Sequence, residues 1–327
     1  MGRGRNAALF AVLIASIIFG AYAEAGEAKK FPPNIAQITH GSEITAASVG
    51  PEAAGYAALK TYDGGVIKDG GSYAFAKDIA GSATYDGFKV NGPHVLIEGA
   101  AFTKSLDIST SRPVVMRGVS VRVERASPWA VLVRPGAGPF LFLWSDAGAA
   151  STDGAPHDRS HAMSGALQLR SAKAVVFRSH ISKTSDGIDV SGTGALVQEN
   201  LIDDLTAWDG DHNDGIQLAG DEPNIAIIRN KILNPNPQTS CVYILGKGVT
   251  LDGNYFGGGG WTIYGGGKSN GHAGPSSRRI RAANNIFGRA YFPKSGHFGP
   301  LAYWDTSPEL GNQWRGNRFE DGQPVNP

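Results

Sequence analysis

The chain has 327 residues, with 30 basic and 29 acidic side chains, 45 glycines, 18 prolines and a single cysteine, Cys241. A formal charge of +1 gives no electrostatic case for nucleic acid or an anionic membrane as a bulk partner. The lone cysteine excludes an intrachain disulfide, and no long segment keeps the 3.6-residue apolar period of a helix bundle or a doubly wound sheet.

The first thirty residues read MGRGRNAALFAVLIASIIFGAYAEAGEAKK. Arg3 and Arg5 precede an apolar run from Ala7 to Ile18, and Ala21 and Ala23 form a small-residue cleavage pattern, which is the layout of a secretory signal. The run is short for a membrane span. Residues 1–23 are therefore expected to be a signal peptide, and the mature chain a secreted or periplasmic protein with no membrane insertion after cleavage. Cleavage takes two of the 30 basic residues and none of the 29 acidic ones, so the mature charge becomes −1. Residues 24–84 are rich in Ala, Gly, Thr and Ser and read as an N-terminal lead-in and cap for a repeat that occupies residues 85–327.

Short apolar pairs with one residue between them recur along that repeat: Phe88/Val90, Leu106/Ile108, Val131/Val133, Leu167/Leu169, Ile188/Val190, Ile216/Leu218 and Val242/Ile244. Alternation over so few residues is that of a strand with the pair facing inward. Most separations lie between 18 and 28 residues, the period of one supersecondary unit stacked on the next. A second register follows at Asn200, Asn230, Asn254, Asn285 and Asn317, each two residues before a large apolar side chain. Asn tolerates a left-handed bend, and its amide can hydrogen-bond along a stack, so the five are expected to form a ladder. These patterns predict an all-β, single-domain parallel β-helix of about eight to ten coils, monomeric, with its last coil and cover drawn from residues after 297.

Those repeats resemble the right-handed parallel β-helix of the pectin lyase-like superfamily over roughly residues 85 to 320. HNDGIQ at 212–217 and GGGGWTIYGG at 257–266 are similar to coils of bacterial repeat proteins in that group. The resemblance implies a secreted, carbohydrate-active protein with a polysaccharide as its partner. TSDGIDV resembles the polygalacturonase motif and aligns Asp186 with its aspartate, but Thr184 and Ser185 stand where Asn and Thr are usual. Asn213-Asp214 replaces the paired aspartates of the next coil, and TSCVYILG replaces the histidine motif, so His212 or Asp211 would have to serve as the acid. PHDRS at 156–160 resembles a mannuronan epimerase motif, with Ala155 in place of its first Asp; its loop is either plain surface or a cover bringing His157 or Arg159 to a sugar.

Aligning the strands on their inward residues stacks Gln168, Asp189, Gln217 and Tyr243 as outward neighbours, and places Asp186 under Asp214 with Ser240 next. Asp186, Asp189, His212 and Asp214 are the candidate catalytic residues. Lys183, Gln168, Gln217, Tyr243, Lys247, Trp261 and Tyr264 are the candidate substrate-binding residues, with Lys268 and His272 beyond them. Three uses fit such a groove: an acid and a base for glycosidic hydrolysis, a Ca²⁺ held by Asp186 and Asp214 for a uronate lyase, or hydrogen-bonding ground for sugar hydroxyls. Elimination, with His212, Tyr243, Lys183 or Lys247 as base, is placed slightly ahead of hydrolysis. A non-catalytic glycan-binding or structural envelope protein is the alternative, since Asp-Gly is also a common turn pair and Trp261 can equally pack in the core.

Overall fold

The computed structural model describes residues 37–124, 127–152, 163–171, 173–206, 212–218, 224–267 and 277–327. Its strands fall into three long sheets. The first has ten strands, from Lys60–Tyr62 to Arg318–Phe319; the second has nine, from Gly65–Ile67 to Gly299–Ala302; the third has ten, from Lys77–Ile79 to Gln313–Arg315. Lys77–Ile79 pairs antiparallel with His94–Glu98; from there on each coil gives one strand to each sheet in turn, and successive coils pair in parallel, as in Leu167↔Ile188, Ile188↔Ile216 and Ile216↔Val242. The chain is a parallel β-helix. Among the described residues no helix is long and apolar enough to cross a membrane.

The inward pairs of the second sheet are all buried, from Leu106 and Ile108 to Val242 and Ile244. They meet Val121, Ile181, Ile202, Ile232 and Phe256 of the first sheet and Val114, Phe142, Val176, Val197 and Ile227 of the third in one continuous core. Burial of these rows at about 25 cal/mol per Å² is the main stabilising contribution.

The third sheet turns into the first through two residues. The first residue of that turn is left-handed: Trp144 (φ 51°), Arg178 (48°), Glu199 (58°), Arg229 (53°) and Asn284 (56°), with glycine at 118, 253 and 316. The second faces inward, and from Asn200 onward it is always Asn. Each Asn Oδ1 accepts from the backbone N–H and the Nδ2 of the Asn one coil earlier, as Asn230 does from Asn200 at 3.0 and 2.9 Å. The same pattern continues through Asn254, Asn285 and Asn317. Ser145 and Ser179 extend the turn toward earlier coils, with Ser179 N donating to Asn200 Oδ1.

The expected pair Phe88/Val90 does not open this series. Ala83–Tyr85 and Phe88–Val90 form an antiparallel hairpin, because Asp86 (φ 50°) and Gly87 (φ 87°) make a two-residue turn with both centres left-handed. The hairpin lies against the outer side of the third sheet, where Phe88 meets Phe177 edge to face at 5.2 Å. The corresponding solenoid strand is Gly65–Ile67, which pairs with Leu106–Ile108.

Residues 38–56 run along the left-handed turns. His40 Nε2 lies 3.0 Å from the Asn284 carbonyl, Gly41 N donates to Gly253 O, and Gly50 N donates to Arg178 O. Tyr56 reaches Glu98 and Arg117. Beneath this strap Glu199 accepts from both Arg178 and Arg229, an ion network whose acid and first Arg are both buried.

Candidate functional site

The outer side of the second sheet carries two rows of side chains. The central row runs Val66, Asp107, Leu132, Gln168, Asp189, Gln217, Tyr243, Tyr264 and Ala302, each paired with the next coil. Neighbours in such a row are about 4.8 Å apart, the spacing of paired strands. The expected order Gln168, Asp189, Gln217, Tyr243 is the order found, and Tyr264 continues it.

The second row lies three residues earlier on each strand: Trp129, Gly165, Asp186, Asp214, Ser240, Trp261 and Gly299. A regular strand would point residues three apart to opposite sides. The chain bends between the rows, where Gly187 and Gly215 turn inward together with the following Ile. A Cβ on Gly187 would meet Ile202 Cγ2 at 2.8 Å, and one on Gly215 would run into Ile232 and the Cys241 carbonyl. Cys241 occupies the same inward corner, fully buried, and burial pushes its thiol up to about 12.

The acids behave differently in the two rows. Asp189 accepts from Gln168 Nε2 at 3.3 Å, while its Oδ1 is buried without a hydrogen-bond partner among the described residues. Burial raises its pKa, against the lowering influence of Gln168 and of Arg170. Asp186 Oδ1 accepts the backbone N–H of Asp214 at 2.8 Å. Asp214 in turn accepts from Ser240 Oγ and is only 2% exposed; burial pushes its pKa up to about 7. Asp214 is thus a buried rung, and not the open groove wall expected from alternation. A side chain so enclosed cannot touch a substrate lying on the sheet.

His212 is exposed at the corner, and its carbonyl accepts from Ser185 Oγ. Lys183 stands on the far side of that corner, a left-handed residue whose N–H bonds to Asp204 O next to the first sheet. Lys247 lies at the opposite edge, where its backbone bridges to Arg278. The two lysines therefore flank the sheet without meeting. Tyr243 and Tyr264 are half-buried, with ring centroids 5.7 Å apart, and Tyr264 stacks on Tyr303 at 5.7 Å. Burial raises both phenols, mainly by desolvation, with Asp214 adding next at Tyr243 and Tyr303 at Tyr264, so Tyr243 keeps its proton and is a donor rather than a base.

Among the described residues no three His, Cys, Asp or Glu side chains group to hold a metal ion. Asp186 and Asp214 fit Ca²⁺ poorly, because that ion takes six to eight oxygens and these carboxylates already accept from the next coil. Asp211, His157, Arg159, Lys268 and His272 lie outside the described residues, as do residues 1–23.

Trp129, Tyr303 and Phe298 escaped the sequence reading. The offset of three residues that links Asp186 to Asp189 also links Trp129 to Leu132, so that spacing would have found the first. Comparison with known proteins finds no matching family model, no matching curated relative and no matching solved structure.

Proposed function

We propose that the chain is a secreted protein that binds an acidic polysaccharide along the central row of the second sheet and cleaves it by elimination, as the pectin lyase-like resemblance implies. The observation that carries this reading is the run Gln168, Asp189, Gln217, Tyr243, Tyr264, a line of two amides and one carboxyl ending in two half-buried tyrosines. A uronate carboxylate set beside Asp189 favours the protonated form of that half-buried acid, which then donates alongside the two glutamines. His212 is the exposed base that takes the proton α to the carboxylate; the C–H electrons form the new double bond, and the glycosidic oxygen leaves the β carbon with the C–O bonding pair and takes a proton from water.

Hydrolysis is less well supplied. It needs two carboxyl groups about the scissile bond. The central row offers Asp189 alone, since Asp107 lies three strands away, about 14 Å, and is held by Arg134 in a bidentate pair, Nε to Oδ1 and Nη2 to Oδ2.

The test is mass spectrometry of products from acidic and neutral polysaccharides, with and without Ca²⁺. Fragments lighter than hydrolysis products by one water support elimination; hydrated ends overturn it in favour of hydrolysis. A folded protein that yields no product supports the second reading, a glycan-binding or structural envelope protein. That reading draws on Asp186 and Asp214 serving as acceptors between coils.

A further inference from the structure

The second row ends in an aromatic pair that the central row does not use. The Trp261 ring lies over Gly299, where a Cβ would come within 2.6 Å of Cζ3. Phe298 stands beside it, with ring centroids 6.0 Å apart and planes tilted by 38°. His297 packs edge-on against Phe298 at 4.7 Å.

Phe298 is 55% exposed, but the backbone that carries it is pinned. Its N–H donates to Gly260 O and that of His297 to Gly259 O, both at 2.8 Å. Nearby, Thr262 and Ser295 hydroxyls bond at 3.0 Å in full burial. A large ring held out to solvent on a fixed backbone contributes little to the core, and beside Trp261 it forms an aromatic pair at the end of the outward rows.

We infer that Trp261 and Phe298 hold a sugar carried as a side branch on the glycan whose main chain lies along the central row. The inference rests on the reading of that row as a glycan track. Trp261 and Tyr264 sit on one strand, about 10 Å apart along it, whereas the track runs across the strands. A straight chain that passes Tyr264 continues to Ala302 and leaves Trp261 to one side; a branch projecting along the strand reaches it. Two ring faces and an imidazole edge suit the apolar face of a neutral sugar, not a second uronate.

The probe is a printed array of oligosaccharides in matched linear and singly branched pairs, on uronate-containing and neutral backbones. The full mature chain should bind branched members about 10-fold more tightly than their linear partners, the worth of one aromatic contact. Phe298→Ala should erase that difference and leave linear binding unchanged, with an unaltered circular dichroism spectrum and melting temperature. Equal binding of linear and branched partners by the parent chain overturns the inference, as does a Phe298→Ala variant that keeps the preference. Tyr264→Ala separates the two claims: if it weakens every member while Phe298→Ala weakens none, only the branch site falls. If Tyr264→Ala changes nothing, or the array is blank, the track and the branch site fall together.

Discussion

Two edges of the solenoid use the same device with opposite outcomes. At the turn from the third sheet to the first, Asn side chains point inward and each reaches back to the N–H of the previous coil. At the corner between the first sheet and the second, Asp186 and Asp214 point outward and reach forward, Asp186 to the N–H of Asp214 and Asp214 to Ser240. An amide both donates and accepts, so each interior Asn also gives its Nδ2 to a carbonyl, as Asn230 does to Val197 at 2.8 Å. A carboxylate only accepts, and its charge is left in a desolvated place. The Asn edge is therefore closed chemistry that holds coils together, while the Asp edge keeps Asp214, whose pKa burial displaces, beside the polar central row.

Breaking the closed edge should have the largest effect. Asn230→Ala strips acceptors or donors from Asn200 N, Asn200 Nδ2, Val197 O and Asn254 Oδ1, all in the interior. Four interrupted bonds in a buried stack predict a loss of about 3 to 5 kcal/mol in a urea titration. A loss below about 1 kcal/mol would mean that water enters the stack and that the two edges differ less than their geometry suggests.

The open edge should respond to pH instead. Burial pushes the Asp214 carboxyl up to about 7 from its ordinary 3.8, so between these the folded state holds a proton that the unfolded state has released. Stability then falls as pH rises from about 4 to 7, and the effect of Asp214 is complete above its folded pKa. Asp214→Asn removes that slope and should raise stability at pH 8 relative to the parent by about 2 to 4 kcal/mol. Paired melting curves at pH 5 and pH 8 measure it. Parallel curves for parent and variant would show that Asp214 has no displaced titration.

The bend that separates the two outward rows offers a smaller perturbation. Gly215→Ala drives a methyl group into Ile232 and the Cys241 carbonyl, of which the second is backbone and cannot swing away. Overpacking of this kind predicts a loss of about 1 to 3 kcal/mol. A chemical denaturation midpoint unchanged from that of the parent would show that the corner has room the structure does not indicate.

The contrast between edges also explains what could be read from the sequence. The Asn ladder and the central row were legible because inward pairs recur in strict alternation, so Ile188 fixes Asp189 and Ile216 fixes Gln217. Asp214's burial was not legible. It depends on the bend at Gly215, which turns two successive residues inward and has no signature in hydrophobic alternation. Phe88/Val90 misled for a related reason: the pair alternates like a solenoid strand, while the Asp86-Gly87 turn before it specifies a hairpin. Asp186-Gly187 and Asp214-Gly215 carry the same dipeptide inside strands, so neighbours decide what an Asp-Gly pair becomes.

The smallest effect on stability, and the most informative on function, belongs to Asp189. Its carboxyl is partly open to water, so screening limits the stability change of Asp189→Asn to below about 1 kcal/mol. The chemistry is the sharper readout. If Asp189 serves elimination as a neutral donor to a uronate, ionisation at rising pH turns it into a like charge facing the substrate, and product formation falls as pH rises through that ionisation. An Asn in its place stays neutral and still accepts from Gln168. Asp189→Asn should therefore keep most of the activity and lose that fall, while Asp189→Leu, which removes the donor, should lose activity at every pH. Absorbance of the unsaturated product, followed across pH for the three proteins, decides between roles. An Asn variant as inactive as the Leu variant would make Asp189 a proton-transferring acid or base, and would move the open edge from positioning the substrate to carrying out the proton transfer.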